Sequence, residues 1–208
     1  QVWNPLFSYE EYFFPNVNDK THKIAYAASV GCPISEIELY KNNYVKYLPR
    51  FKKISVRELE HKDYISKISG KNCSNVLDPT LLLDQEEYLT IIQDKTEKNG
   101  KPYVLFYWLF HDQELMRGIE LVNLIARKYD LQIIHSVYSV KEFMFSEEEK
   151  CIYYSGVDEF LWYIKNASFV VTNSYHGTIF SLEFEVPFYS FVVDSMKSRF
   201  NTLLAYVD

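Results

Sequence analysis

Short apolar runs alternate along the chain with longer segments of helical periodicity. The runs at 23–29, 51–58, 103–110, 131–139, 168–174 and 187–193 each have the length of a strand. Several are apolar without alternation, the pattern of strands covered on both faces. Between them, Ile37, Tyr40, Tyr44 and Tyr47 fall on one helical face, as do Leu115, Ile119, Val122 and Ala126, and then Phe160, Ile164 and Ala167. Ser35 and Glu38 have capping-box spacing, in which each side chain satisfies an orphan backbone donor, and Asp158 can cap the helix after it. Strand and helix therefore alternate. Such alternation needs crossover connections and predicts a doubly wound α/β fold, with ligands beyond the carboxyl ends of the strands.

The polar stretch 93–102 interrupts this pattern, and a fresh strand begins directly after it. It predicts a first lobe over 1–95 and a second over 96–208, with two or three strands in the first, three or four in the second, and a cleft between them. The opening Gln1-Val2-Trp3-Asn4-Pro5 reads as the interior of a fold, so the first lobe is expected to be shortened at its N-terminus.

Composition narrows the partners. A chain that is 48% hydrophobic and 24% charged is globular, and a net charge of −6 without a basic patch argues against nucleic acid. Cys32, Cys73 and Cys151 are odd in number and widely spaced, which suits a reducing cytoplasm. No apolar run approaches the ~20 residues of a membrane-spanning helix. His22, His61, His111 and His135 have no ligand spacing with one another or with the cysteines, so no metal is expected. Glycine-rich dinucleotide loops, the Gly-Lys-Ser/Thr phosphate loop and the Gly-x-Ser-x-Gly elbow are all missing from the sequence.

The most informative segment is 169–182, an apolar strand, a turn of small polar residues, then an apolar helix. At a helix N-terminus the backbone N–H groups and the positive dipole end favour an anion such as phosphate or carboxylate, and Gly177 permits close backbone approach. His176 can serve there as general acid, general base or charged donor to phosphate, with Asn173, Ser174 and Thr178 beside it. The same histidine could instead cap or pack. Arg57, at a predicted strand end, offers a planar fork to a carboxylate or phosphate, or an ordinary pair to Glu58. Asp78 before Pro79 orients a substrate hydroxyl or caps a turn. Arg199 closes over a phosphate or sits on the surface.

Taken in order, these segments resemble the polysaccharide pyruvyl transferase family. Gln1-Val2-Trp3-Asn4 is similar to the tail of that family's Gly-Ser-Asp-Gln-x-Trp-Asn motif, and 23–31 to its next strand and turn. The segment 54–58 resembles its Ser-x-Arg-Glu motif, 77–83 its Asp-Pro-Thr-Leu-Leu-Leu segment, and 172–181 its Thr-Asn-Ser-x-His-Gly signature. The resemblance implies two Rossmann-like lobes of GT-B type and transfer of a pyruvyl group from phosphoenolpyruvate, as a ketal, onto two hydroxyls of a cell-surface polysaccharide. It implies no cofactor beyond that donor. The acceptor would be a sugar nucleotide or lipid-linked oligosaccharide, reached in the cytoplasm or at the inner face of the membrane. By position, His176 matches the motif histidine expected at the phosphate, and Arg57 the arginine for the donor's carboxylate or phosphate. Asn173, Ser174, Gly177, Thr178 and Arg199 are the accompanying binding candidates, and Glu58 and Asp78 the candidates for proton relays. A nucleotide-sugar glycosyltransferase of the same architecture and a non-catalytic derivative of the family are the competing readings.

Overall fold

The computed structural model describes residues 2–5, 10–92, 101–109, 112–137, 150–152 and 156–207. The chain divides into two compact units, Gln1–Leu82 with Asp194–Asp208, and Leu83–Val193. In the first unit three parallel strands, β1 (Ile24–Ala28), β2 (Lys53–Val56) and β3 (Cys73–Asn75), pair in the order β1-β2-β3. Helices α1 (Ile34–Leu39) and α2 (Lys41–Tyr47) connect the first two, and α3 (Lys62–Ser69) the next. Ile37, Tyr44, Tyr47 and Ile65 from these helices pack with Ile54, Val56 and Cys73 of the sheet and with Trp3, Phe13 and Phe51. Full burial of each large apolar side chain contributes about 1.5–3 kcal/mol, so this cluster is what holds the small sheet together.

The second unit holds α4 (Gln85–Ile91), β4 (Tyr103–Trp108), α5 (Leu115–Tyr129), β5 (Gln132–Val137), β6 (Lys150–Ile152), α6 (Val157–Lys165), β7 (Phe169–Thr172), α7 (Tyr175–Glu183) and β8 (Phe188–Ser190). Its five described strands are parallel in the order β6-β5-β4-β7-β8. Counted from β4, that is the 3-2-1-4-5 order of a doubly wound sheet, whose direction reverses between β4 and β7. Strand alternation sorts the core into two layers. Tyr103, Leu105 and Val170 face Leu161 and Ile164 of α6 and Phe180 of α7. Val104, Phe106, Trp108 and Val171 face Leu115, Val122, Ile125 and Ala126 of α5. Gly118 lies in the first turn of α5, where a Cβ would stand 2.5 Å from the Trp108 ring. The helix can approach the stacked Phe106 and Trp108 rings only without a side chain. The last helix, α8 (Lys197–Val207), returns to the first unit, where Thr202 Oγ1 accepts from Leu59 N at 3.0 Å and the Tyr206 hydroxyl donates to Asn75 at 2.8 Å.

Several expectations shift. The division after residue 95 moves to Leu82/Leu83, because Tyr88 of α4 packs edge-on to Phe180 in the second unit's core, and the C-terminal helix leaves that unit. Among the described residues, the second sheet has five strands and the first has three. The helix expected around Tyr40 breaks there into α1 and α2, leaving Tyr40 exposed. Ser35 and Glu38 make no capping box, since Pro33 is the N-cap of α1 and Glu38 accepts from Tyr64 and Lys41 instead. Gly156 rather than Asp158 caps α6. Residues 93–100 of the polar stretch, with the ends of the runs at 103–110 and 131–139, lie outside the described residues. Among the described residues, no helix is long and apolar enough to cross a membrane.

Candidate functional site

In the second unit the motif turn sits at the carboxyl end of β7, beside the carboxyl end of β4, at the point where the strand order reverses. Thr172 closes the strand: its hydroxyl donates to Tyr107 O at 2.7 Å and accepts from Ser174 N at 2.9 Å. Asn173 ties the two strand ends together. Its Oδ1 accepts from Leu109 N at 2.9 Å and its Nδ2 donates to Asp112 at 2.8 Å. Ser174 is the N-cap of α7, in extended conformation, and its hydroxyl accepts from Gly177 N at 3.2 Å. Thr178 donates to Ser174 O at 3.0 Å and shares a second hydrogen bond with Ser190 of β8. A Cβ on Gly177 would stand 2.7 Å from Thr172 Oγ1 and 2.9 Å from the Tyr107 ring.

The polar residues of this motif are thus spent on building the turn, and the glycine lets the helix seat against the strand. His176 differs from its neighbours. Tyr175, Gly177 and Thr178 are buried, whereas His176, in the first turn of α7, is exposed and stacks edge-on to Tyr175 at 5.6 Å. An imidazole presented at a helix N-terminus, in the field of the dipole's positive end, suits a phosphate or carboxylate.

The first unit gathers a separate set at the carboxyl ends of its strands. Ser29 and Val30 follow β1, Arg57 and Glu58 follow β2, and Asp78 follows β3. A bulge directs the first of these. The register between β1 and β2 slips between Ala25 and Ala28, and Ala27 adopts a left-handed φ of 49°. Ser55 stitches the bulge, accepting from Ala27 N at 3.0 Å and donating to Ala25 O at 3.1 Å. A left-handed alanine costs roughly 1–2 kcal/mol, and bulges of this kind bend the strand that carries them.

Glu58 is wholly buried. Its carboxylate accepts from the Ser29 hydroxyl and from Val30 N at 3.2 Å, with Arg57 Nε and His61 Nδ1 each 3.7 Å away. Burial pushes its pKa up, but His61, the Ser29 hydroxyl and the charge of Arg57 outweigh that and hold it below the usual carboxylate value. His61 is itself fixed, its Nε2 donating to the Cys32 carbonyl at 2.7 Å. Burial pushes the Cys32 thiol up to about 12, which leaves it an inert neighbour. Arg57 Nη1 pairs with Asp78, whose other oxygen caps the short turn Pro79–Leu81 by accepting from Thr80 N at 3.0 Å and Thr80 Oγ1 at 2.7 Å. Asp78 therefore does cap a turn, as its place before Pro79 suggested. Arg199, on α8, is buried, so it does not sit on the surface as one of its two sequence readings had it.

The structure brings Arg57, Glu58 and Asp78 together in one unit, and Asn173, Ser174, His176, Gly177 and Thr178 together in the other. Sequence reading missed Ser29, His61, Asp112 and Ser190. Only the Glu58-x-x-His61 spacing carried a hint, since the other partners are brought in by strand pairing from far along the chain. Among the described residues, no group of three or more His, Cys, Asp or Glu side chains is placed to hold a metal ion.

Two parallel-sheet units, the second doubly wound, define an α/β protein of the GT-B-like class. A putative UDP-N-acetylglucosamine 2-epimerase from Listeria monocytogenes superposes with a TM-score of 0.63 at 13% identity, covering 94% of this chain and 56% of that one. The UDP-GlcNAc 2-epimerase from Neisseria meningitidis gives 0.55 at 10% identity, over 94% and 59%. The enzyme of that name from Methanocaldococcus jannaschii gives 0.51 at 15%, over 89% and 63%. The chain thus spans little more than half the length of these structures, and at such identities the likeness is one of fold. No curated protein sequence matches the chain significantly. The family model for polysaccharide pyruvyl transferase matches residues 3–195, nearly the whole chain, and the protein belongs to that family.

Proposed function

We propose that the protein transfers a pyruvyl group from phosphoenolpyruvate onto two hydroxyls of a polysaccharide sugar, forming a ketal. Family membership supports the class of reaction. The observation that carries the assignment of the site is the exposure of His176 within an otherwise buried turn, at a helix start that favours an anion.

In this reading a proton is delivered to the methylene carbon of the enol, and a sugar hydroxyl adds to the adjacent carbon as it gives up its own proton. The C–O bond to phosphate then breaks and the second hydroxyl closes the ketal. Of the two hydroxyl protons, one restores the acid and the other leaves with phosphate. Charge gathers on the departing phosphate, and His176 with the start of α7 stabilises it there. Arg57 and Arg199 are assigned to the anionic groups of the substrates. Glu58 and Asp78 were candidates for proton relays. An ionised, fully engaged Glu58 and a turn-capping Asp78 favour instead the task of holding the Arg57 guanidinium in place.

The test is a thermal shift of wild type and His176→Ala with phosphoenolpyruvate, pyruvate, inorganic phosphate and nucleotide sugars, followed by phosphate release in the presence of a glycan acceptor. Stabilisation by phosphoenolpyruvate, lost in the variant while its unliganded melting is unchanged, is the expected result. Stabilisation by a nucleotide sugar alone would replace this reading with a glycosyltransferase. Donor binding without phosphate release from any acceptor would make the protein a non-catalytic member of the family.

A further inference from the structure

A pocket of about 200 Å³ opens at the other end of the second unit's sheet, where β4 and β5 begin and α6 ends. Its wall combines an apolar side with a polar rim. Trp162, half-buried, and Pro102 supply flat apolar surface, and Gln132, Asn166 and Lys101 supply polar groups around it.

The amides are held in fixed orientations. Gln132 Nε2 donates to Lys101 O at 3.0 Å and Asn166 Nδ2 donates to Trp162 O at 2.9 Å. Each bond anchors the nitrogen of its carboxamide and leaves the oxygen as an acceptor. The Tyr103 hydroxyl, donating to Tyr163 O at 2.8 Å, is anchored in the same way. Three classes of ligand can be weighed against this lining. An anion is disfavoured, because the site lies at the C-terminal, negative end of α6 and Lys101 is the one cation among its described lining residues. A lipid chain is disfavoured by the polar rim, whose desolvation it could not repay with hydrogen bonds. An uncharged molecule with one apolar face and a rim of hydroxyl donors fits both parts of the wall, and a pyranose ring has that form.

We infer that this pocket is a glycan-binding subsite, which takes one uncharged pyranose residue against Trp162 with its hydroxyls on Gln132 and Asn166. It lies at the opposite end of the sheet from the His176 turn, within the same unit, and so grips saccharide without taking part in the chemistry there. The inference does not depend on the donor proposed above.

Saturation-transfer NMR with the methyl β-glycosides of galactose, glucose and mannose tests it directly. Transfer to the ring protons of at least one glycoside is expected with wild type and with His176→Ala. It should be lost in Trp162→Ala and reduced severalfold in Gln132→Leu, and the response to phosphoenolpyruvate should be the same in both variants as in wild type. Should Trp162→Ala fail to fold, Gln132→Leu decides alone. The inference is overturned by the absence of transfer to all three glycosides in wild type. Transfer that survives the pocket substitutions, or that disappears in His176→Ala, overturns it equally.

Discussion

Replacing Gly177 by alanine sets two effects of opposite sign against each other. Alanine is the better helix former by about 1 kcal/mol, so propensity alone predicts a more stable protein. Packing predicts the reverse. The new Cβ would stand 2.7 Å from Thr172 Oγ1, 2.9 Å from Tyr107 Cδ1 and 3.3 Å from Ser174 Cβ. The tyrosine ring can give way slightly, but the threonine hydroxyl cannot rotate without breaking its bonds to Tyr107 O and Ser174 N. Each of those contributes about 1 kcal/mol, and overpacking of this kind typically costs about 1–3 kcal/mol. The packing cost exceeds the propensity gain, and Gly177→Ala should be destabilised by about 1–2 kcal/mol. For a chain of this size that is a fall of roughly 2–8 °C in Tm, read by near-ultraviolet circular dichroism, to which Trp108 and Trp162 of this unit contribute. If the proposed function holds, the displaced helix start should also weaken stabilisation by phosphoenolpyruvate. A variant that melts higher than wild type would refute the close-approach role of this glycine.

Two further substitutions probe carboxylates, one in each unit. Glu58 has its pKa depressed on folding, so its contribution is complete above the unfolded value of about 4.3 and is lost as pH falls through the lower folded value. Glu58→Gln should therefore be less stable than wild type at neutral pH, by on the order of 3 kcal/mol, and the difference should shrink on acidification below about pH 4. Urea midpoints at the two pH values check this, and a gap that stays constant would contradict it. Asn173→Asp would set a second carboxylate against Asp112, 2.8 Å from the present donor. A loss of about 1–3 kcal/mol at neutral pH, partly recovered in acid, is expected from the same measurement.

Much of the fold can be read from the chain, and the exceptions share a cause. The strands that become β1, β2, β4, β5, β7 and β8 stand out as apolar runs, whereas β3 is a three-residue edge strand of Cys-Ser-Asn with no run to mark it. In the second unit β6 is equally short and lacks such a run, whereas the edge strand β8, of the same length, lies within the apolar run 187–193. The return of α8 to the first unit rests on bonds such as Tyr206 to Asn75, 131 residues apart, which no local pattern announces. The site divides in the same way. The turn around His176 is legible because its cap, glycine and strand are contiguous. The Glu58 cluster is not, because Ser29 and Cys32 reach it only once β1 has paired with β2.

That return of α8 also orders the making of the protein. Residues 83–193 form a continuous stretch that can be finished as soon as it is synthesised, whereas 1–82 must wait for a helix more than a hundred residues downstream. Of the two, the unit whose described strands come earlier in the chain gains its last described helix only after residues 83–193 have been made. Until then Leu59 N lacks the threonine hydroxyl that accepts from it in the finished protein, and Asn75 lacks its tyrosine.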